Sequence, residues 1–331
     1  MKKIYLHIGH FKTGTSAIQK YLDLNNEKLN DSGFHYIRGL RPSYNETNHG
    51  KLSVSLIKKF NGTKPGWYID EDSFESCIAS LKNEINESDF DKYIISSEEF
   101  YRISILPEQD RILAMNSLVD SLSDYDVSIV FFSRQPLSLM KSWYNQINKG
   151  HNPVKKFVQV FYEQSVMFYC QYETILLWRR FFGEDKVYHL PYRLKGSDHI
   201  NSFLNCIGLP SFCCDSSEVN SKKDESVLEK ERQIKIRSIA GDNSVAFTKS
   251  ISLINDTNFK VMENKLLLIN EDYRKLANDY NLPEVRSITT HDIVSYGEKV
   301  NAIECEHIDE SINQVESINY GFFSRLIRFF K

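Results

Sequence analysis

Apolar residues fall into a few short continuous runs separated by longer stretches of helical period. Residues 4 to 9, Ile-Tyr-Leu-His-Ile-Gly, form a β-rich run that stops at a glycine, which predicts a buried strand entering a loop. From Ser16 onward Ile18, Tyr21, Leu22 and Leu29 fall close to a helical period, so the loop feeds a helix. A second run, Tyr93 to Ser97, delivers Glu98 and Glu99 at its C-terminal end, and a helix with Ile112, Met115, Leu118, Val119 and Leu122 follows. Val127 to Ser133 is the strongest strand signal; it ends at Arg134 and is stopped by Pro136. That proline suits the first turn of a helix whose inner face is Met140, Trp143, Tyr144 and Ile147.

Further on, the pattern predicts one long helix from Pro153 to Phe182, capped by Gly183, and a fourth strand from Lys186 to Leu190. Ile200, Phe203, Leu204 and Ile207 mark a short helix closed by Gly208, Leu209 and Pro210. Strands alternating with helices imply an α/β fold of three layers around a central, mainly parallel sheet. From Ser216 the chain turns charged and helix-prone with no clear strand. The expected organisation is a core over residues 1–215 and a mainly helical C-terminal region over 216–331.

Composition narrows the class of protein. With 41% hydrophobic and 26% charged residues in a chain of 331, disordered, collagen-like and coiled-coil readings drop out. A net charge of -3 gives no general attraction to nucleic acid, which is not an expected partner. The cysteines at 77, 170, 206, 213, 214 and 305 form no CxxC pair or zinc-ligand cluster and read as reduced and structural. The N-terminal apolar run is too short for a signal peptide or a membrane span, so a cytoplasmic location is expected.

The chemistry concentrates in His7 to Ser16, where Gly9 and Gly14 keep the GxxxxG spacing of a phosphate-cradling P-loop. The lysine is displaced: a nucleotide triphosphatase has it directly after the second glycine, whereas here Thr15 stands there and Lys12 lies two residues before Gly14. The strand at 127–133 also ends in Ser133 and Arg134 instead of an acid that would hold magnesium. This describes a loop for a phosphate-bearing donor, with Lys12 meeting charge on a leaving oxygen and Thr13, Thr15 and Ser16 adding hydroxyl donors, without a metal.

Lys12-Thr13-Gly14-Thr15-Ser16 resembles the loop of the sulfotransferases that use 3′-phosphoadenosine 5′-phosphosulfate (PAPS), in particular their bacterial glycan-modifying branch. The resemblance spans roughly residues 4 to 210. It implies a P-loop-like fold in which Lys12, Thr13, Gly14, Thr15 and Ser16 bind the 5′-phosphosulfate and Lys12 stabilises the leaving phosphate. Arg134 and Ser142, an arginine at a strand end and a serine eight residues later, match the family's 3′-phosphate pair. Fork geometry at Arg134 suits two phosphate oxygens on its own terms. The implied donor is PAPS, the product 3′-phosphoadenosine 5′-phosphate (PAP), and the acceptor a glycan or glycolipid.

Sulfuryl transfer also needs a base for the acceptor proton. Glu98 matches the branch's S-S-E-x-F element at the same sheet edge as the loop, and His49 lies in a loop that commonly faces the acceptor. His10 and Glu99 are candidate substrate contacts. Tyr192 and Arg193 follow the fourth strand and Asn220 to Lys223 lie where the family often closes a loop over the nucleotide, all candidate contacts of the 3′-phosphate or adenine, and the aromatic and basic residues of 320–331 suit a peripheral contact with the inner face of a membrane. The C-terminal region is expected to pack on the core or the acceptor side. Two other readings remain open: a P-loop kinase or NTPase with a degenerate loop, and a nucleotide- or glycan-binding protein without catalysis.

Overall fold

The structure is a computed structural model, which describes residues 1–43, 47–148, 156–192, 198–209, 227 and 256–301. Its centre is a five-stranded parallel sheet in the order β2-β3-β1-β4-β5, with β1 Lys3–His7, β2 Phe34–Tyr36, β3 Lys92–Ser96, β4 Asp126–Ser133 and β5 Val187–Pro191. The first strand lies in the middle, paired with β3 on one side and β4 on the other, so its C-terminal loop opens where the chain order reverses. Open parallel sheets place their ligands at this point.

The continuous apolar runs are explained by burial on both faces. Alternation along each strand sends Ile4, Leu6, Ile95, Ile129 and Phe131 to one core, and Tyr5, Ile94, Val130 and Phe132 to another on the opposite face. The second core is closed by α1 (Thr15–Leu24), α2 (Asn26–Asp31) and α9 (Asp198–Cys206) through Ile18, Leu22, Leu29, Phe203 and Leu204. The first and larger core is covered by α3 (Gly50–Lys59), α4 (Phe74–Asn86), α5 (Glu108–Ser121), α6 (Pro136–Ile147), α7 (Phe157–Glu163) and α8 (Gln171–Phe182). Two C-terminal helices, α10 (Asp256–Asp279) and α11 (Thr290–Asn301), add Leu266, Ile269, Leu276 and Ile293 to it. The result is the expected three-layer α/β fold.

The pattern reading needs three corrections. The sheet has five strands, because Phe34–Tyr36 pairs with β3. The first long helix breaks at Asn25, dividing α1 from α2. The helix expected from Pro153 to Phe182 is interrupted between α7 and α8 by an extended Gln164 and Ser165 and a 3-10 turn at Val166–Phe168. Carbonyls in that break serve other partners: Tyr101 Oη donates to Met167 O at 2.7 Å and to Cys170 O at 3.0 Å. The new start at α8 is capped from another element, since the Asp272 carboxylate of α10 accepts the backbone N–H groups of Gln171, Tyr172 and Glu173 at 2.6, 3.0 and 2.9 Å.

Among the described residues Cys77, Cys170 and Cys206 are free thiols. No helix among the described residues is long and apolar enough to cross a membrane. Arg193, Asn220 to Lys223, the 320–331 segment and the remaining cysteines lie outside the described residues.

Candidate functional site

The loop after β1 stays hydrogen-bonded to β4 before it turns. Ile8 N donates to Val130 O at 3.1 Å, His10 N to Phe132 O at 3.2 Å, and Phe132 N to Gly9 O at 2.9 Å. Three residues then take positive φ: Gly9 at 87°, Lys12 at 61° and Gly14 at 83°. A Cβ on Gly9 would stand 3.0 Å from the Cα of Glu98, so this glycine lets the ends of β1 and β3 approach. Thr13 Oγ1 closes the turn by donating to His10 O at 2.5 Å. Phe11 anchors it from below, its ring 5.4 Å from that of Trp143 and 5.6 Å from that of Phe168.

Gly14 is the N-cap of α1, which has no side-chain cap and no acid in its first turn. The first backbone N–H groups of a helix have no intrahelical acceptor and carry the positive end of its dipole, so this terminus is suited to an anion. Lys12 lies beside it, its Nζ donating to Gln146 Oε1 at 3.2 Å. Holding a non-glycine residue at left-handed φ costs about 1–2 kcal/mol.

That strain is supported from β4. Arg134 Nη1 donates to the Lys12 carbonyl at 2.6 Å, and Nε donates to Ser138 Oγ at 3.0 Å. The guanidinium lies over the Tyr192 ring, 4.8 Å from its centroid. Gln171 fixes the Arg134 backbone like a paired strand residue: its Oε1 accepts Arg134 N and its Nε2 donates to Arg134 O, both at 2.7 Å. Burial lowers the Arg134 pKa, Tyr192 opposes this, and no carboxylate of the described residues offsets it. The arginine therefore stands as a partly desolvated cation beside a pocket of about 210 Å³. Arg134, Gln135, Ser138, Lys141, Ser142 and Asn145 supply its polar wall. Their spacing puts them on one face of α6 and the residues leading into it.

At the end of β3 the two glutamates part. Glu98 is half-buried against Gly9, and its Oε2 accepts Gln19 Nε2 at 3.0 Å. The same Gln19 amide donates to Ser96 Oγ at 3.2 Å, so a helix-α1 side chain orients the carboxylate. Glu99 is 3% exposed and paired with Arg102. Burial pushes the Glu99 carboxyl up to about 7, against the opposing Arg102 charge and with help from Glu98.

Both candidate histidines turn inward. His49 is fully buried: its Nδ1 accepts Ser96 N at 2.8 Å and its Nε2 donates to Ile37 O at 2.6 Å. Neither nitrogen is placed to receive an acceptor proton, and desolvation lowers the ring to about 4. His10 is also fully buried, with Nδ1 2.9 Å from Phe11 O and Nε2 2.7 Å from Phe168 O, and burial takes it to about 4. It braces the loop against the 3-10 turn. Of the remaining expected residues, Thr13 and Thr15 are buried, Ser16 is exposed on the first turn of α1, and Ser142 lines the Arg134 pocket.

Sequence reasoning did not reach Ser138, Lys141, Asn145, Gln19, Gln171 or His199. Helical spacing from Arg134 and Ser142 points to the first three; the others arrive from distant segments with no local signal. No group of three or more His, Cys, Asp or Glu side chains able to hold a metal occurs among the described residues.

No family model matches the chain. No curated protein matches it either. Among solved structures it is similar to a sulfotransferase from Alicyclobacillus acidocaldarius, at 12% identity and a TM-score of 0.43, covering 74% of this chain and 96% of that one. It is also similar to the mouse sulfotransferase SULT7A1 complexed with PAP, at 12% identity and a TM-score of 0.38, covering 84% of this chain and 89% of that one. At these values the function must be read from the site itself.

Proposed function

We propose that this chain is a sulfotransferase that moves a sulfuryl group from PAPS to a hydroxyl or amine of an acceptor, in the first instance a glycan or glycolipid. The observation that carries the reading is a pair of anion-suited sites joined by one hydrogen bond. The uncapped start of α1 with Lys12 forms one, the Arg134 pocket forms the other, and Arg134 Nη1 on Lys12 O connects them. A donor with phosphates at both its 5′ and 3′ positions matches that pairing. β4 ends in Ser133, and the next residue is Arg134 in place of a magnesium-holding acid.

In this mechanism the N–H groups at the start of α1 hold the 5′-phosphosulfate, and Arg134, Ser138, Lys141 and Ser142 hold the 3′-phosphate. The acceptor oxygen forms a bond to sulfur as the bond from sulfur to the 5′-phosphate oxygen breaks. Glu98, oriented by Gln19, takes the acceptor proton, and Lys12 meets the charge on the departing phosphate. Sulfuryl transfer then needs only positioning and charge stabilisation.

The acceptor class and the bacterial glycan branch follow from the sequence resemblance, the cytoplasmic site of action from the short N-terminal apolar run, and the membrane contact from the aromatic and basic residues of 320–331. The test is calorimetric titration of the protein with PAP in the absence of magnesium, beside ATP with magnesium. Micromolar PAP binding supports the reading, followed by transfer of labelled sulfate to a glycan panel. Binding of magnesium-ATP alone would replace it with the kinase-like alternative.

A further inference from the structure

We infer that His199 contacts the 5′-phosphate of the nucleotide held at the start of α1; this rests on the sulfotransferase reading above. His199 lies in the first turn of α9 and is 7% exposed, although it belongs to a helix on the outer layer. Its ring is pressed against the loop: a Cβ on Gly14 would stand 2.7 Å from Cδ2 and 2.8 Å from Nε2. The polar Cδ2–Nε2 edge therefore faces the N-cap of α1, not the apolar core beneath it. Gly14 has a second reason to be glycine besides its φ of 83°, since any side chain would displace this imidazole.

Tyr192 completes the arrangement. Its ring centroid is 5.9 Å from that of His199, its Cε2 lies 3.2 Å from the same missing Cβ, and its other neighbour is the Arg134 guanidinium at 4.8 Å. Imidazole, phenol and guanidinium thus form a continuous wall from the start of α1 to the Arg134 pocket. From β1, His7 faces His199 as well, its own pKa held near 3 by burial and then by that neighbour. Asp198 is the adjoining acid on α9 itself. A phosphate at the N-terminus of α1 lies within a few ångströms of Gly14 by the geometry of such sites, which puts it in reach of the imidazole edge. A charge-assisted N–H bond to a phosphate oxygen is among the stronger contacts a side chain offers.

A purely packing role makes the opposite prediction, so the experiment removes the phosphate and the imidazole in turn. Wild type, His199→Phe and His199→Asn are titrated with PAP, adenosine 5′-monophosphate and adenosine 3′-monophosphate, with thermal unfolding as the check on folding. The expected result is a roughly 10-fold loss of affinity for both 5′-phosphorylated ligands, with adenosine 3′-monophosphate unchanged within about 2-fold. An equal loss on all three ligands, or no loss on any, overturns the inference. Failure of the wild-type protein to bind PAP overturns the sulfotransferase reading and the inference with it.

Discussion

Arg134 Nη1 donates to the carbonyl oxygen of Lys12 at 2.6 Å, across 122 positions of sequence. The bond ties the end of β4 to a loop residue held at φ 61°, and Gln171 and Asp272 extend the same chain of contacts back to α10. One side chain therefore serves two purposes: it faces the pocket and it holds the lysine in place.

Replacing Arg134 separates these purposes only in part. Arg134→Lys keeps the charge but loses the fork that reaches Lys12 O and Ser138 Oγ together, and a lysine is a point charge. PAP affinity is expected to fall roughly 10-fold in Arg134→Lys and about 100-fold in Arg134→Ala, read by titration calorimetry. Equal affinity in wild type and Arg134→Lys would show that the fork contributes nothing.

Lys12 is expected to act on the transition state more than on the bound nucleotide, because charge on the leaving oxygen appears only as the sulfuryl group departs. Lys12→Ala should lower turnover by about 10²–10³-fold while PAP affinity changes only a few-fold. Lys12→Gly supplies the backbone control, since glycine adopts this φ at no cost. If Lys12→Gly binds and turns over like wild type, the ammonium group has no role in the reaction.

Gly14→Ala places a methyl group 2.7 Å from His199 Cδ2 and 3.2 Å from Tyr192 Cε2, at a φ that alanine adopts with strain. The expected cost is about 2 kcal/mol or more in stability, and a displaced wall should cut PAP binding by at least about 10-fold. Denaturant unfolding and titration on the same preparation measure the two effects. Unchanged binding would mean that the wall is no part of the nucleotide site.

The central strands were legible because β1, β3 and β4 are buried on both faces and read as unbroken apolar runs. The three-residue β2 offered too short a run to register. The break between α7 and α8 was invisible for a different reason. Nothing in Phe157 to Phe182 forbids a helix, and the interruption comes from Tyr101, His10 and Asp272, which claim backbone groups from distant positions. In the candidate site, Lys12 and Arg134 stand out by loop spacing and a strand end, and Ser142 by the resemblance. The pair Glu98 and Glu99 followed from a strand end and the choice of Glu98 from the resemblance, but its orientation by Gln19 was not legible. His49 was expected in a loop that faces the acceptor; its burial was not legible, because its two backbone partners come from Ile37 and Ser96.

Those partners give His49 a testable pH signature. Burial holds His7 at about 3 and His10 and His49 at about 4 in the folded protein, against an unfolded value near 6.5. Between about pH 4 and 6.5 the unfolded chain binds more protons, so these rings contribute stability above 6.5 that is lost as pH falls toward 4. Glu99 and Asp272 run the other way, with carboxyls raised to about 7 and about 6, so their effect grows unfavourable as pH rises. A single substitution isolates the histidine contribution. In His49→Gln the amide can accept from Ser96 N and donate to Ile37 O without titrating. The variant is expected to be about 1 kcal/mol less stable than wild type at pH 7. At pH 5 the unfolded histidine gains a proton that the folded one refuses, which costs the wild type about 2 kcal/mol, so the two stability curves should cross. Urea unfolding at pH 7, 6 and 5 reads this directly, and a gap that stays constant would mean that His49 does not titrate differently in the folded and unfolded states.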